Sequence, residues 1–409
     1  MTGSGGLAGQ AARELPDVAY AACLAGFTAM TPQRLQRLLR GRQAEPLFVD
    51  LRAKGGLASR LMCAGQAPGR RGGRGTQIID AWRKSAVEAD PALGWEQLAA
   101  SGTRVWRRGS PGYPGRLVAD RAAPEVLFGR GSFEQLDGPC VALVGTRSAT
   151  HYGTGVAAEL GAELSAAGVV VVSGLAAGID SAAHEGALAP DRPTPPVAVV
   201  GGGVDVVYPA SSSRLWTRLK SSGGICSEAP LGAGPEAWRF PLRNRLIAAL
   251  AHVVVVVESH SGGGALHTVS AADERGVTVL AVPGSVKSPA SAGTNSLIAD
   301  GCGVARDASD VLAALELACA GGTRSGLMDT AAAARARSVG ADEGVPAGLS
   351  AAETSVLGAL EETAVSFELV CRRSGLTLAA TAVALERLAS SGLAARSGSG
   401  WERRARGRH

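Results

Sequence analysis

Short valine-rich runs alternate with segments of helical periodicity from residue 138 onward, and this alternation constrains the fold more than any other feature. Six runs follow one another along the chain, at residues 141–144, 169–172, 197–200, 225–227, 253–257 and 277–282. Continuous apolar runs of this length are typical of strands buried on both faces, with helices between them. The pattern therefore predicts an α/β fold with a doubly wound parallel sheet.

The regions before and after the valine-rich runs differ from them in pattern. Residues 1–104 have helical periodicity and predict a helical N-terminal region, and residues 105–317 contain the predicted sheet. Residues 318–347 are rich in Ala, Gly, Ser and Arg without periodicity, which is typical of a flexible linker. Residues 348–409 contain three helical segments, a short hairpin and a basic tail, the pattern of a winged-helix domain.

The net charge of +5 is unevenly distributed along the chain. Residues 1–104 carry 14 basic and 8 acidic residues, whereas residues 105–320 carry 16 basic and 19 acidic residues. The predicted sheet region is therefore not a general binder of polyanions. If it binds nucleic acid, we expect a local cluster of basic residues to do so.

Several classes of protein are disfavoured by patterns that the sequence lacks. No apolar run reaches the ~18 residues of a membrane helix, and the first ten residues do not resemble a signal peptide. The seven cysteines form no Cys-x-x-Cys pair, and the histidines are not spaced as metal ligands. These patterns predict a cytoplasmic protein with no membrane segment, no metal site and no cofactor.

Glycines and small polar residues follow the predicted strands. Ligands bind an open parallel sheet beyond the carboxyl ends of its strands, where glycine lets backbone N–H groups approach and helix N-termini favour anions. A single glycine turn can equally be a tight connection, but several side by side predict a phosphate-binding rim. The candidates from these turns are Gly145, Thr146, Arg147, Ser173, Gly174 and Gly264.

Common nucleotide motifs and catalytic sets are absent. The first turn has no G-x-G-x-x-G, and no G-x-x-x-x-G-K-[ST] occurs, so a nicotinamide dinucleotide or a P-loop nucleotide is disfavoured. Asp180 and His184 could form an acid–base set, but no nucleophile accompanies them. We interpret Asp180 as a helix cap and His184 as a hydrogen-bonded structural residue, and predict no catalytic residue.

Arginines and aromatic residues concentrate in the segment Trp-Arg-Phe-Pro-Leu-Arg-Asn-Arg at 238–245. Arginine supplies forked donors for phosphate, and an aromatic face can stack an unpaired base. The alternative interpretation places the phenylalanine in the core and pairs the arginines with Glu228 or Asp205. The candidates from this segment are Arg239, Phe240, Arg243, Asn244 and Arg245.

These motifs, taken in order, resemble the DNA-processing protein A (DprA/Smf) family across about residues 105–315. The resemblance rests on Val-Ala-Leu-Val-Gly-Thr-Arg at 141–147, Ser-Gly-Leu-Ala-Ala-Gly-Ile-Asp at 173–180, Phe-Pro-x-Arg-Asn-Arg at 240–245 and Gly-x-Leu-x-Thr at 264–268. It implies an extended Rossmann-like core that binds single-stranded DNA, a homodimer, and loading of a RecA-type recombinase during natural transformation. A single-stranded DNA-binding protein is a further candidate partner, and no enzymatic activity is implied.

The resemblance also implies roles for individual residues. The turn at residues 145–147 would grip a backbone phosphate, with Ser173 and Gly174 supporting the adjacent one. Phe240 would stack against a base or wedge between bases, with residues 243–245 around the groove. Charge and position after the predicted strands indicate the same residues.

The chain departs from the family pattern in two places, and one of them, Gly301 and Cys302 where the family usually has Gly-Ala, is expected to affect only packing. Many members have a basic residue and a serine immediately before the Gly-x-Leu-x-Thr signature, where this chain has Gly262 and Gly263. The departure leaves open whether one phosphate contact is lost or is replaced by backbone N–H groups.

Two other functions remain as alternatives. A nucleoside monophosphate hydrolase-like enzyme would share the glycine-rich turn at residues 262–264, but its characteristic Pro-Gly-Gly-x-Gly-Thr-x-x-Glu string is missing. A transcription regulator would use the winged helix for sequence-specific duplex binding, although the sequence shows no effector site.

Overall fold

The structure is a computed structural model, and it describes residues 15–63, 73–189, 193–319, 349–360, 365–376, 378–391, 393–397 and 400–403. By spatial proximity the chain divides into two units, Met1–Ala334 and Arg335–His409. The sheet lies in the first unit.

The described part of the chain before the sheet is helical. The helices are α1 (Asp17–Ala25), α2 (Pro32–Leu39), α3 (Glu45–Arg52), α4 (Leu57–Cys63), α5 (Gly73–Glu88) and α6 (Pro91–Ala100). Helix α2 begins where proline and a capping residue predict a start, because the Thr31 side chain accepts a hydrogen bond from the Arg34 N–H at 3.3 Å. Buried Leu38 and Trp82 belong to the same apolar core as Phe128 of the sheet, so these helices pack against the sheet region.

A nine-stranded sheet and its flanking helices form the rest of the first unit. The strands are β1 (Arg104–Arg107), β2 (Val126–Gly131), β3 (Cys140–Val144), β4 (Val170–Ser173), β5 (Val197–Val199), β6 (Gly224–Ser227), β7 (Val253–Val256), β8 (Thr278–Ala281) and β9 (Gly303–Val304). The helices are α7 (Gly115–Ala119), α8 (His151–Ala166), α9 (Ile179–Ala187), α10 (Ser213–Ser222), α11 (Arg239–Leu250), α12 (Leu266–Asp273), α13 (Ala292–Ala299) and α14 (Ala308–Cys319).

The sheet is mixed, with strand order β1-β2-β6-β5-β4-β3-β7-β8-β9. Strands β3 to β9 pair in parallel, which confirms that the six valine-rich runs are neighbouring parallel strands. The prediction of a wholly parallel sheet was wrong at one end, because β2 pairs antiparallel with both β6 and β1. The C-terminal ends of β3 to β8 lie along one side of the sheet, called the carboxyl edge below.

Burial on both faces explains why the central strands have no polar alternation. Along β3, Val141 and Leu143 belong to one apolar core, whereas Ala142 and Val144 belong to another. Successive side chains of a strand point to opposite faces, so a strand with a core on each side must be apolar at every position.

The second unit contains three helices and a small antiparallel sheet among its described residues. The helices are α15 (Ala351–Ala359), α16 (Phe367–Ser374) and α17 (Leu378–Ser390), and the strands are β10 (Val365–Ser366), β11 (Ala394–Ser397) and β12 (Gly400–Arg403). Ser350 and Glu353 form a capping box at the start of α15. Most of the predicted linker, residues 320–347, lies outside the described residues.

Candidate nucleic-acid interface

A cavity of about 620 Å³ lies at the carboxyl edge, where β3 and β5 end and α11 and α12 begin. The structure brings seven of the predicted site residues into its lining: Gly145, Thr146, Arg147, Phe240, Arg243, Asn244 and Gly264. Ser173, Gly174, Arg239 and Arg245 are not among the lining residues.

The turn after β3 is held by the end of β7. The Thr146 N–H donates to the Glu258 carbonyl oxygen at 2.8 Å, and the Glu258 carboxylate accepts from the Thr150 N–H at 2.9 Å and from its hydroxyl at 2.6 Å. A Cβ atom at Gly145 would lie 2.5 Å from Ile179 Cγ1, so the turn requires glycine there. These contacts place Arg147 at the mouth of the cavity.

Arg147 and Phe240 form the charged and aromatic part of the cavity. The Arg147 guanidinium lies over the Phe240 ring, with Cζ 4.9 Å from the ring centroid, and Tyr208 packs against the same ring at 5.6 Å between centroids. Arg147 and Tyr208 are exposed, and Phe240 is half-buried. Arg147 makes no ion pair with any described residue, so its charge remains available to an anion.

Arg243 faces the cavity from a buried position. Its Nη1 donates to the Val199 carbonyl oxygen at 2.9 Å, and a Cβ atom at Gly174 would lie 1.5 Å from the same nitrogen. Burial raises the pKa of Asp180, and the charge of Arg243 partly opposes that rise. Arg243 therefore ties together the ends of β4 and β5, and Gly174 is required because the guanidinium occupies the space of a side chain.

Ser173 and His184 lie beneath the cavity rather than in its lining. Both are completely buried, and the Ser173 hydroxyl donates to the Leu143 carbonyl oxygen at 2.6 Å. Burial lowers the pKa of His184 to about 3, so its imidazole is neutral at physiological pH. The interpretation of Asp180 as a helix cap was wrong, because Gly178 occupies the cap position of α9. Asp180 lies in the first turn of that helix and accepts a hydrogen bond from the Ala176 N–H at 3.4 Å.

Two other predicted arginines are engaged by acidic residues. Arg245 pairs with Glu228, as in the alternative interpretation of the sequence, and also donates to the Ala122 carbonyl oxygen. Arg239 lies 3.5 Å from Glu236, with its guanidinium 4.4 Å from the centroid of the Trp238 ring. Neither side chain lines the cavity beside Phe240.

The opposite wall of the cavity comes from the turn before α12. Asn244 donates to the Gly264 carbonyl oxygen at 3.3 Å and links α11 to this turn. Tyr208, His267 and Thr268 also line the cavity but were not predicted as site residues. Their signals were the position of Tyr208 after the third valine-rich run and the Gly-x-Leu-x-Thr pattern that contains Thr268.

The described part of the chain contains neither a metal-binding cluster nor a membrane-spanning helix. Within the described residues, no group of three or more His, Cys, Asp or Glu side chains could hold a metal ion. No helix in that part of the chain combines the length and apolarity needed to cross a bilayer.

The model of the family described as DNA recombination-mediator protein A matches residues 104–316, more than half of the chain. The chain belongs to this family. The match includes every strand from β1 to β9 and all residues of the cavity described above. Membership in the DNA recombination-mediator protein A family therefore rests on the same part of the chain as the candidate site.

Relatives of this chain carry the names DprA and Smf. A DprA relative from Mycobacterium tuberculosis is 39% identical over 246 residues, which cover 59% of this chain and 58% of the relative. The chain thus spans about three-fifths of that relative's length. The DNA processing protein DprA of Streptococcus pneumoniae is 38% identical over 204 residues, covering 50% of this chain and 71% of the relative.

A solved structure supports the fold of this family member. The X-ray structure of DprA from Streptococcus pneumoniae aligns with a TM-score of 0.58 at 29% identity. The alignment covers 73% of this chain and 98% of the other. The Rossmann-like α/β core expected from the sequence is thereby confirmed.

Proposed function

We propose that the protein binds single-stranded DNA at the carboxyl-edge cavity and acts in the cytoplasm as a non-enzymatic recombination mediator. The observation that carries the proposal is Arg147, which has no acidic partner among the described residues and lies over the Phe240 ring beside Tyr208. Guanidinium can bind a backbone phosphate while an aromatic face stacks a base. An unpaired strand offers both groups at once, whereas the bases of a duplex are stacked inside it.

Membership in a family described as DNA recombination-mediator protein A supports a role in recombination, and relatives are named DNA processing protein. We propose that this protein protects incoming DNA and loads a RecA-type recombinase in natural transformation or homologous recombination. A single-stranded DNA-binding protein and a second copy of the chain, as a homodimer, are the further proposed partners.

The proposed domain organisation keeps the boundaries derived from the sequence. Residues 1–104 form a helical region, residues 105–317 the DNA-binding core, residues 318–347 a flexible linker, and residues 348–409 a winged-helix domain with a basic tail. The three helices and antiparallel strands of the second unit support the winged-helix assignment.

The enzymatic alternative has less support from the geometry. Of its acid–base candidates, His184 is completely buried, and Asp180 lines the first cavity but is 6% exposed and faces the charge of Arg243. The Ser173 hydroxyl is engaged by a backbone carbonyl. A nucleophile would have to reach substrate from an exposed position. Release of base or ribose phosphate from nucleoside monophosphates by the purified protein would favour the enzyme instead.

The test of DNA binding compares single-stranded and duplex DNA of the same sequence by fluorescence anisotropy. We expect tighter binding of the single strand, little dependence on its sequence, and an affinity that falls with salt at a slope of about −0.7 per phosphate neutralised. Equal or tighter binding of the duplex would contradict the proposal. Recombinase loading is tested separately, by filament assembly on single strands already covered by a single-stranded DNA-binding protein.

A further inference from the structure

A second cavity, of about 530 Å³, lies beside the C-terminal end of β1. Strand β1 runs parallel to β6 because β2 is antiparallel to both, so the C-terminal end of β1 lies at the carboxyl edge. Residues Arg107 and Arg108 are at that end, and Glu125 immediately precedes β2 beside them. The loop between α2 and α3, with Arg40 and Arg42, closes the cavity from the helical side.

The second cavity has an excess of positive charge. Its lining contains four arginines, Arg40, Arg42, Arg107 and Arg108, against two carboxylates, Asp17 and Glu125. Arg107 is paired with Asp17 at 3.0 Å and lies 4.0 Å from Glu125. The two acids therefore hold the Arg107 guanidinium in place, whereas Arg40, Arg42 and Arg108 form no ion pair among the described residues. Burial raises the pKa of Glu125, and Arg108 and Arg40 are among the nearby charges that oppose that rise.

Several nitrogen atoms of these arginines have unused hydrogen-bonding capacity. Arg108 Nη2 donates to the carbonyl oxygens of Val118 at 2.8 Å and Asp120 at 2.7 Å, but its buried Nη1 has no partner among the described residues. The buried Nε of Arg107 is likewise unpartnered there. The Arg40 side chain is exposed and donates no hydrogen bond within the described chain. The exposed Arg40 guanidinium is therefore the group of this cavity that a phosphate can reach without rearrangement.

The loop after β6 separates the two cavities and carries an exposed aromatic side chain. Ala237 and Phe240 line the first cavity. Trp238 and Arg239, in the same segment, line a third cavity that is distinct from the other two. Trp238 is 39% exposed, with the Arg239 guanidinium over its ring. In the strand order, β6 stands between β5 and β2, so this loop lies between the two cavities along the carboxyl edge.

We propose that the second cavity is a further phosphate-binding site for the same single strand. The strand would pass from the first cavity over Trp238 to Arg40 and Arg108. This extension rests on the proposed function. From β3, which precedes Arg147, to β1 there are five strand spacings in the sheet order, about 24 Å at the usual interstrand distance. At a rise of about 3.4 Å per stacked nucleotide, roughly seven nucleotides span that distance.

The test uses the full-length chain and two oligonucleotides, of about 4 and about 20 nucleotides, because only the longer one can reach both cavities. Arg40→Ala removes an exposed charge and leaves the packing of the cavity intact. We expect it to weaken binding of the longer strand about 5-fold at low salt and to reduce the salt slope by about 0.7, with unchanged affinity for the shorter strand. Arg40→Glu should enlarge the loss on the longer strand by repulsion.

Lys220→Ala is the matched control, since it removes one exposed charge from the last turn of α10, at the opposite edge of the sheet. It should change neither affinity. Wild-type affinity of Arg40→Ala for the longer strand, or an equal loss on both strands, would overturn the second site while leaving the first cavity as the binding site. Failure of the wild-type protein to bind either strand would instead overturn the proposed function itself, and the extension with it.

Discussion

The Arg147 guanidinium lies over the Phe240 ring, 4.9 Å from its centroid, so the turn after β3 and the start of α11 present a charge and an aromatic face together. The two residues are 93 positions apart in the chain and meet only because β3 ends and α11 begins at the carboxyl edge. Because only Arg147 carries a charge, substituting each residue separately distinguishes the charge contribution to DNA binding from the stacking contribution.

Phe240 tests the stacking contribution. Phe240→Ala should cost about 1–3 kcal/mol of binding free energy with an unchanged salt slope, because no charge is removed. Phe240→Tyr keeps the ring and should bind nearly as the wild type does. Anisotropy titrations and melting temperatures are measured on the same samples. A variant that melts much earlier yet binds DNA normally would show that Phe240 is a core residue.

Arg243 should act on stability rather than on DNA contact alone. Arg243→Ala removes the hydrogen bond to Val199 and the positive charge that faces buried Asp180. We expect the free energy of unfolding to fall by about 2–4 kcal/mol in urea denaturation. Arg147→Ala is the control from the same cavity and should leave stability nearly unchanged because Arg147 is exposed. Equal stabilities of the two variants would show that Arg243 is not structural.

An arginine at position 262 is expected to strengthen single-strand binding. No heavy atom lies within 4 Å of a Cβ atom built at Gly262, whereas one at Gly263 would lie 2.4 Å from Ser259 Oγ. Gly262→Arg should therefore fit beside the first cavity, tighten single-strand binding and steepen the salt slope by about 0.7. Gly262→Ala controls for the loss of glycine. Identical salt titrations of the two variants would mean that this position does not face the strand.

His184 should make stability sensitive to acid. Its pKa is lowered by burial from an ordinary value of 6.5 to about 3, so the unfolded chain binds a proton in that interval and the folded chain does not. The contribution is fully present above pH 6.5 and is lost as the pH falls towards 3. Urea denaturation between pH 7 and 4 should show a shallower decline for His184→Gln than for the wild type. Parallel pH profiles would rule out this role.

Much of the sheet could be predicted from the sequence because strands that are buried on both faces are continuous apolar runs. Strands such as β3 and β7 are short, rich in valine and buried at every position, and β-branched enrichment in so short a run favours a strand over a helix. Strands β1 and β2 escaped prediction as strands. Strand β1 is four residues long with one buried side chain, and its pairing with β2 depends on contacts that are distant in sequence.

The candidate site was predicted in composition but not in the roles of its arginines. Charge alone cannot distinguish Arg147, which is exposed, from Arg243, which is 5% exposed and bonded to a strand carbonyl. The pairing of Arg245 with Glu228 depends on where β6 lies relative to α11, which the strand order determines and the local sequence does not. Tyr208 was missed for the same reason, because it lies far from Phe240 in the sequence and packs against its ring only in the folded chain.

The most direct test of the central claim is the salt dependence of single-strand binding by Arg147→Ala, compared with wild type and with Lys220→Ala. If the first cavity binds the strand, Arg147→Ala should weaken binding to all sequences and reduce the salt slope by about 0.7, one phosphate contact, while Lys220→Ala matches the wild type. A wild-type affinity and salt slope for Arg147→Ala would contradict the assignment of the first cavity as the DNA site.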